Sequence, residues 1–266
     1  MFNFTLYKRG MRETFALLLI ISAVLAMYFS TIIPMYDPSL ESVLNQLASS
    51  MPQVMAIMGM GESGSTMAGF LASYLYGLLM LMFPMVFVII SANKLIARHV
   101  DKGSMTYLLA APVKRSTVAF SQMKVIATGV FLIIAFASLL GIALSEALFP
   151  GKLEIGAFML MNAGALSLHL FIAGMCFLCS CLFDESKYAV GFGAGIPLLE
   201  FAVQMLANAG GSAEKAKYAT FFTLFDASGL IAGEAGAIAG MAALFVGAVL
   251  LFFGAIKVFS KKDLHI

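Results

Sequence analysis

Two ionisable side chains, His169 and Glu200, lie deep inside long apolar stretches of this sequence. An acid near the middle of a bilayer costs roughly 2.5–3.5 kcal/mol on insertion scales, so such a residue usually faces protein or water. At about 1.5 Å per helical residue, each side chain lies roughly 16–18 Å from the start of its own segment, near the midplane. We therefore predict a hydrogen-bonded pair of His169 and Glu200, either as a structural bridge or as part of a substrate or proton path.

A second candidate for chemistry is Ser63, which lies in a GxSG sequence, Gly61-Glu62-Ser63-Gly64. GxSG is the nucleophile motif of rhomboid-type intramembrane proteases. If this chain were such a protease, His169 would be the candidate base. Ser63, however, lies in a predicted outer loop, and the Trp-Arg loop motif of those proteases is absent because the chain has no Trp. We interpret the motif as a flexible turn.

Three cysteines, Cys176, Cys179 and Cys181, occur in one apolar segment. An odd and clustered set does not indicate a secreted disulfide framework. Cys176 and Cys179 share a helix face, but no His or acid is placed to complete a metal shell. We therefore predict no metal site and interpret the cysteines as small apolar residues of the core.

The elements that must position these residues are membrane spans. Soluble domains are about half apolar and about a quarter charged, whereas this chain is 61% hydrophobic and 11% charged, and its net charge of +2 suggests no nucleic-acid partner. A span needs roughly 20 mainly apolar residues. Stretches of that kind occupy residues 15–33, 70–92, 125–148, 157–182, 189–207 and 235–256. The sequence thus predicts an all-α membrane protein with six transmembrane helices in a single domain, residues 1–266.

Lys and Arg are distributed unevenly among the loops, which predicts the orientation. With the N-terminus in the cytoplasm, thirteen of the sixteen Lys and Arg residues lie inside, and only Lys152, Lys215 and Lys217 lie outside. Both termini are therefore predicted to be cytoplasmic. The first span follows three basic residues as a signal peptide would, but it is too long and has no cleavage site, so we predict a retained anchor.

Two segments on the predicted outer side are too polar to span. Residues 40–58 are amphipathic, and Pro52 should divide them into two short helices. They either lie on the outer leaflet or form a cargo-binding surface of adaptable Met side chains. The candidate cargo-surface residues are Leu47, Met51, Met55 and Met58. Residues 216–234 are predicted to form short re-entrant or outer helices before the sixth span.

The longest predicted inner loop contains the sequence DKGSMTYLLAAPVKR, residues 101–115. A short helix that Ser104 caps and Pro112 ends would present Tyr107, Leu108 and Ala111 on one face. The chain has no soluble domain for that face to contact, so we expect another protein to bind it. No GxxxxGK[ST] phosphate loop occurs in the sequence, so this chain does not bind ATP by that route.

This passage resembles the signature of permease subunits of the type-2 ABC exporter family. The resemblance is carried by Asp101-Lys102-Gly103-Ser104, Tyr107-Leu108-Leu109-Ala110-Ala111-Pro112-Val113, Arg115 and Lys124. A weaker similarity is the tail, Phe259-Ser260-Lys261-Lys262-Asp263-Leu264. The family resemblance assigns the following residues to the contact with an ATPase subunit: Asp101, Lys102, Gly103, Ser104, Met105, Tyr107, Leu108, Leu109, Ala111, Pro112 and Arg115.

The resemblance implies a permease that is not catalytic by itself. Two separate ATPase subunits, which hold ATP and Mg²⁺, would bind a coupling helix between spans two and three, and a second permease copy, identical or different, would complete the unit. Phe2 to Glu13 would form an interfacial connecting helix. We expect the chain in the cytoplasmic membrane of a prokaryote, and the many Met and Phe residues suggest amphipathic or apolar cargo, such as a peptide toxin, a lipid or a drug. The alternative is a secondary transporter or channel that uses Glu200 and His169.

Overall fold

The computed structural model describes residues 2–36, 46, 49–58, 66–97 and 114–262, and every regular element within these ranges is helical. The α-helices are α1 (Phe4–Ile32), α2 (Pro52–Ile57), α3 (Met67–Leu71), α4 (Leu79–Ala92), α5 (Arg115–Leu148), α6 (Ile155–Leu182), α7 (Ser186–Asn208), α8 (Ala227–Ala232) and α9 (Ala235–Lys261). The 3-10 helices are Ile33–Met35, Gly211–Ala219 and Phe221–Leu224, and π-helical turns occupy Ala72–Tyr76 and Asn93–Ala97.

Within the described ranges, six helical stretches are long and apolar enough to cross a membrane, which confirms the predicted number of spans. They are Phe4–Met35, Leu79–Ala97, Arg115–Leu148, Ile155–Leu182, Ser186–Asn208 and Ala235–Lys261. The chain is therefore a multi-pass membrane protein, since each stretch reaches the length that a bilayer requires.

The second span begins later than the apolar sequence indicates. The sequence predicts one span over 70–92, but the helix is interrupted at Gly77 and Leu78, where Leu78 has φ −129° and ψ −55°. Residues Met67–Tyr76 form a separate short helical stretch. Beside the interruption, the Tyr76 hydroxyl donates to Asn162 Oδ1 of α6 at 2.6 Å. Apolar residues continue through the interruption, so composition alone could not locate it.

The first span corrects the prediction of a separate connecting helix over Phe2–Glu13. Helix α1 runs without interruption from Phe4, and Asn3 caps its start by accepting from the Leu6 N–H at 3.1 Å. This first part packs along α5, where the Asn3 N–H donates to Ser121 Oγ at 3.1 Å and the Tyr7 hydroxyl donates to Thr128 Oγ1 at 3.2 Å. The segment is helical in one piece because its polar face finds partners within the bundle.

Helix α6 lies at the centre of the bundle and contacts α4, α5, α7 and α9. The most apolar window of α6 is 61% buried, compared with 22% for α7. Its buried side chains include Phe158, Leu168, Ile172 and Phe177, all with 0% exposure. The outer faces of α1, α7 and α9 are apolar and exposed, as lipid contact requires.

The segment between α7 and α9 folds back between the long helices. Asp226 caps α8 by accepting from the Gly229 N–H at 2.9 Å, and Gly233 ends it with φ +71°. Leu224, in the preceding 3-10 helix, packs so closely on Gly240 that a Cβ there would lie 2.5 Å from the Leu224 carbonyl oxygen. The predicted short helices before the sixth span are therefore present, packed against the bundle.

The starts of α1, α5 and α7 and the ends of the second, fourth and sixth spans meet at one end of the bundle. We call it the Lys/Arg-rich end. The other end, which the segment before α9 closes, is called the opposite end. The Lys and Arg residues near the Lys/Arg-rich end in the described ranges are Lys8, Arg9, Arg12, Lys94, Lys114, Arg115, Lys124, Lys187, Lys257, Lys261 and Lys262.

Candidate functional site

A network of charged side chains joins three helix ends at the Lys/Arg-rich end. The Lys262 ammonium follows the end of α9 and forms an ion pair with Asp184 Oδ1 at 2.7 Å. It also donates to the carbonyl oxygens of Leu182 at 3.0 Å and Cys181 at 3.3 Å, at the end of α6. The Arg115 guanidinium, at the start of α5, donates to the Lys262 carbonyl oxygen. These bonds hold α5, α6 and α9 together. We call the five participants, Arg115, Cys181, Leu182, Asp184 and Lys262, the Lys262 network.

The local reason for this network is the polarity of the helices. The last carbonyl oxygens of a helix have no partner within the helix and carry partial negative charge, so they attract cations. Lys262 satisfies two such oxygens at the end of α6, and its side chain is only 12% exposed. Its half-buried ammonium thus caps α6 and is also a member of an ion pair.

The second span is attached at the same end by two further hydrogen bonds. Lys94 Nζ donates to the Glu13 carbonyl oxygen of α1 at 2.5 Å, and the Ser186 hydroxyl donates to Asn93 Oδ1 at 2.7 Å. The described residues that flank the loop between spans two and three are Ala97 and Lys114. Both sides of this loop therefore begin at helix ends that side-chain bonds fix.

Most of the predicted contact with an ATPase subunit lies outside the residues that the structure describes. Arg115 is described and belongs to the Lys262 network. The residues outside are Asp101, Lys102, Gly103, Ser104, Met105, Tyr107, Leu108, Leu109, Ala111 and Pro112. The predicted coupling helix stays a prediction.

The predicted hydrogen bond between His169 and Glu200 does not form. His169 is fully buried, and its Nδ1 and Nε2 lie 2.7 Å and 3.1 Å from the carbonyl oxygens of Ala165 and Leu81. Glu200 is half-buried, and its Oε2 accepts from the Phe221 N–H at 3.1 Å. The depth argument placed both residues in the bundle but could not give the direction in which each side chain points, so the pairing was wrong.

Glu200 instead caps a segment that arrives from the opposite end. Phe221 begins the 3-10 helix Phe221–Leu224, and its N–H is one of the donors that such a start leaves without an intrahelical partner. One turn further along α7, Gln204 Oε1 accepts from the hydroxyls of Thr220 at 2.5 Å and Thr223 at 3.0 Å. Glu200 and Gln204 together attach the folded-back segment to α7.

The predicted Met surface is divided in the structure. Pro52 opens α2, so Met51 precedes that helix and is 53% exposed. Met55 is buried in the core with 7% exposure, and Met58 is half-buried. Leu47 lies outside the described residues. The helical spacing was correct for Met55 and Met58, but the three described Met residues do not share one exposed face.

The remaining candidates are the cysteines and Ser63. The Cys176 thiol donates to the Gly193 carbonyl oxygen at 3.0 Å, which fits a small residue at a close contact of α6 and α7. Among the described residues, no group of three His, Cys, Asp or Glu side chains could hold a metal ion. Ser63 lies outside the described ranges.

The sequence analysis missed the Lys262 network, because it counted Lys262 only as a charge that sets topology. A signal was available: Asp184, in the short loop between α6 and α7, is an acid on the side that is rich in positive charge. Compared with known proteins, the chain matches no family profile and no curated protein.

Proposed function

We propose that this chain is the permease subunit of an ATP-driven exporter of the type-2 ABC family. In this proposal the Lys/Arg-rich end faces the cytoplasm of a prokaryote, in agreement with the rule that positive loops stay inside. Two ATPase subunits bind the loop between spans two and three and supply ATP and Mg²⁺. A second permease copy, identical or different, completes the translocation path, and this chain performs no catalysis by itself.

The observation that carries the proposal is the position of Arg115. It ends the loop that resembles the family signature, and it donates to the carbonyl oxygen of Lys262, a residue of the tail that also resembles the family. Lys262 in turn binds the end of α6. A displacement of the loop would therefore reach α5, α6 and α9 through direct bonds, which is what a permease without a soluble domain needs for coupling.

The length of α5 supports the same mechanism. This helix runs from Arg115 to Leu148 without a break, and it contains no Pro. At about 1.5 Å per residue such a helix is long enough to cross the bilayer and to project beyond it. Movement at its first turn would be transmitted to the opposite end as movement of a rigid rod. Hydrolysis in the partner would thereby open a path between two permease copies.

The nature of the cargo follows from the composition of the spans. The chain contains 19 Met and 24 Phe residues, and Glu200 is the only acid well inside the six apolar stretches that the sequence predicts as spans. Met is adaptable and Phe is large and apolar, so together they suit molecules with substantial apolar surface. The proposed cargo class is an amphipathic or apolar molecule, such as a peptide toxin, a lipid or a drug.

The test is co-purification of an ATPase activity with the tagged chain from its own host membrane. We expect ATP hydrolysis to accompany the wild-type chain and to be lost when Leu108 is changed to Glu, because a charge on the apolar face of the loop would prevent docking. The matched control is Leu148→Glu, which places the same charge on an exposed Leu at the opposite end. The control should keep the ATPase activity.

One result would replace this proposal with its rival. If the chain purifies without an ATPase and catalyses proton-driven flux alone, it is a secondary transporter. The structure gives that rival less support, because His169 and Glu200 bond separate backbone groups and do not form a proton relay with each other.

A further inference from the structure

Glu200 has a carboxylate oxygen that the fold does not use. Oε2 accepts from the Phe221 N–H, whereas Oε1 has no hydrogen bond to any residue in the described ranges. No Lys, Arg or His of the described part of the chain lies within ion-pair distance of Glu200. The side chain is half-buried in α7, directly after the exposed Leu199 and one helical turn after the exposed Ile196. An acid within a span is costly unless it faces water or a positive partner.

Aromatic rings cluster around Phe221, the residue whose N–H this carboxylate binds. Phe221, whose N–H binds Glu200, packs its ring 5.1 Å from the ring of Phe171 and 4.6 Å from the ring of Phe222. Phe222 is buried, but Phe171 and Phe221 are half-buried and keep part of their surface accessible. The faces of aromatic rings attract organic cations, most strongly where water is excluded.

The position of Glu200 determines the side from which it can be reached. Asn208, the last residue of α7, lies eight positions after Glu200, which corresponds to about 12 Å along the helix. Its partner Phe221 belongs to the segment that folds back from the opposite end. The carboxylate and the two accessible rings therefore lie in the half of the bundle near that end.

We propose that Glu200, Phe171 and Phe221 form a binding site for an organic cation with an apolar body. The free carboxylate oxygen supplies the counter-charge and the rings receive the apolar groups around it. An inorganic divalent cation does not fit, because such ions take about six oxygen ligands and this site offers one carboxylate. The inference deepens the proposed function by naming the charged group of the cargo, and it rests on that function only for the claim that the bound cation is transported.

The structural task of Glu200 can be separated from binding by one substitution. Glu200→Gln keeps an oxygen that accepts from the Phe221 N–H, while it removes the negative charge. The matched control is Glu234→Gln, which removes an exposed charge at the start of α9, at the same end. Both variants change one carboxylate to an amide and therefore have the same net charge. A difference between their binding affinities is then due to the position of Glu200.

The experiment measures binding of tetraphenylphosphonium to the full chain in lipid nanodiscs, without any ATPase. We expect Glu200→Gln to raise its Kd about tenfold, which corresponds to the loss of about 1.4 kcal/mol, and Glu234→Gln to leave it unchanged. Tetraphenylborate, an anion of the same shape, should bind both proteins equally. Phe171→Leu should weaken phosphonium binding by about threefold, as expected for one cation–π contact, while the lipid-exposed Phe253→Leu should not.

A second measurement uses only the wild-type chain, in case Glu200→Gln does not fold. Carbodiimide labelling of Glu200, followed by mass spectrometry, should slow when tetraphenylphosphonium is present and should not slow with tetraphenylborate. Equal Kd values for wild type and Glu200→Gln, or labelling that the phosphonium leaves unchanged, would overturn the site. Because neither assay involves ATP, cation binding can succeed when ATPase co-purification fails, and the reverse, so the two proposals are tested separately.

Discussion

The two ends of the bundle are held together by different means. At the Lys/Arg-rich end, Lys94, Arg115 and Lys262 donate to backbone carbonyl oxygens of neighbouring helices. At the opposite end, carboxylate and amide oxygens of Glu200 and Gln204 accept from a folded-back segment that also packs directly on glycine. One end thus depends on long cationic side chains and the other on close backbone contact. The first arrangement can transmit displacement between helices, whereas the second fixes a segment in place.

The largest effect should come from tightening the contact at the opposite end. Gly240→Ala would place a Cβ 2.5 Å from the Leu224 carbonyl oxygen, and a backbone atom cannot move aside cheaply. We expect the free energy of unfolding to fall by roughly 3 kcal/mol, measured by denaturant titration in mixed micelles. Gly236→Ala is the matched control, because nothing lies within 4 Å of a Cβ at that position of the same helix. Equal free energies of unfolding for the two variants would show that the close contact of Leu224 with Gly240 does not stabilise the opposite end.

The next effect tests the Lys/Arg-rich end. Lys262→Met keeps the apolar stem but leaves the carbonyl oxygen of Leu182 and the carboxylate of Asp184 without their cation. The expected loss is about 2 kcal/mol, since hydrogen bonds to charged groups exceed those between neutral groups. Lys261→Met, on an exposed neighbour, should change stability by less than about 0.5 kcal/mol. Unfolding in micelles measures both, and two similar losses would mean that charge rather than the network stabilises this end.

A neutral hydrogen bond at the opposite end should contribute less. Tyr76→Phe removes the hydroxyl that donates to Asn162 Oδ1 and leaves that oxygen buried without a donor. We expect a loss of about 1–2 kcal/mol in the free energy of unfolding. Tyr74→Phe is the control, because the Tyr74 hydroxyl makes no hydrogen bond within the described ranges. A loss of the same size in the control would show that the aromatic ring environment, not the bond to Asn162, is responsible.

The smallest effect concerns the exposed ion pair of Glu214 and Lys217 at the opposite end, whose charged atoms lie 2.8 Å apart. Hydrogen bonding to Lys217 lowers the pKa of Glu214, and the same bond raises the pKa of Lys217. Any stabilisation from Glu214 is thus present above its unfolded pKa and lost as the pH falls through the folded value. Any stabilisation from Lys217 is present below the unfolded pKa of Lys217 and is lost as the pH rises through its folded pKa.

Because solvent screens this pair, Glu214→Gln should unfold at the same temperature as wild type at pH 7. Thermal unfolding at pH 7 and at pH 3 provides the measurement. A clear drop for the variant at pH 7 alone would show that ion pairs stabilise both ends, and the contrast between the ends would have to be abandoned.

Hydropathy was sufficient to predict the number of spans, because each span needs a long apolar surface for contact with lipid. It could not show the interruption at Gly77, where the residues on both sides are equally apolar. For His169 and Glu200, helix geometry gave the depth but not the rotation of each helix about its axis. Their partners, Leu81 and Phe221, come from segments whose placement depends on tertiary packing.

The site at the Lys/Arg-rich end was only half visible in the sequence. The family resemblance identified Arg115 as a candidate, but its partner is a backbone carbonyl oxygen. Every residue type has such an oxygen, so the sequence could not indicate which one Arg115 binds. Lys262 looked like any other positive charge near a span end. The contact of Tyr107 and Leu108 with another protein stays a prediction, since those residues lie outside the described ranges.

The Lys262 network also bears on how the protein is made. Helix α6 is synthesised well before α9, so the carbonyl oxygens of Cys181 and Leu182 emerge from the ribosome long before their cation exists. Until then, only water or lipid headgroups can solvate that helix end. Insertion of α9 would replace them with the Lys262 ammonium, so the Lys/Arg-rich end of the bundle is completed only when α9 is in place.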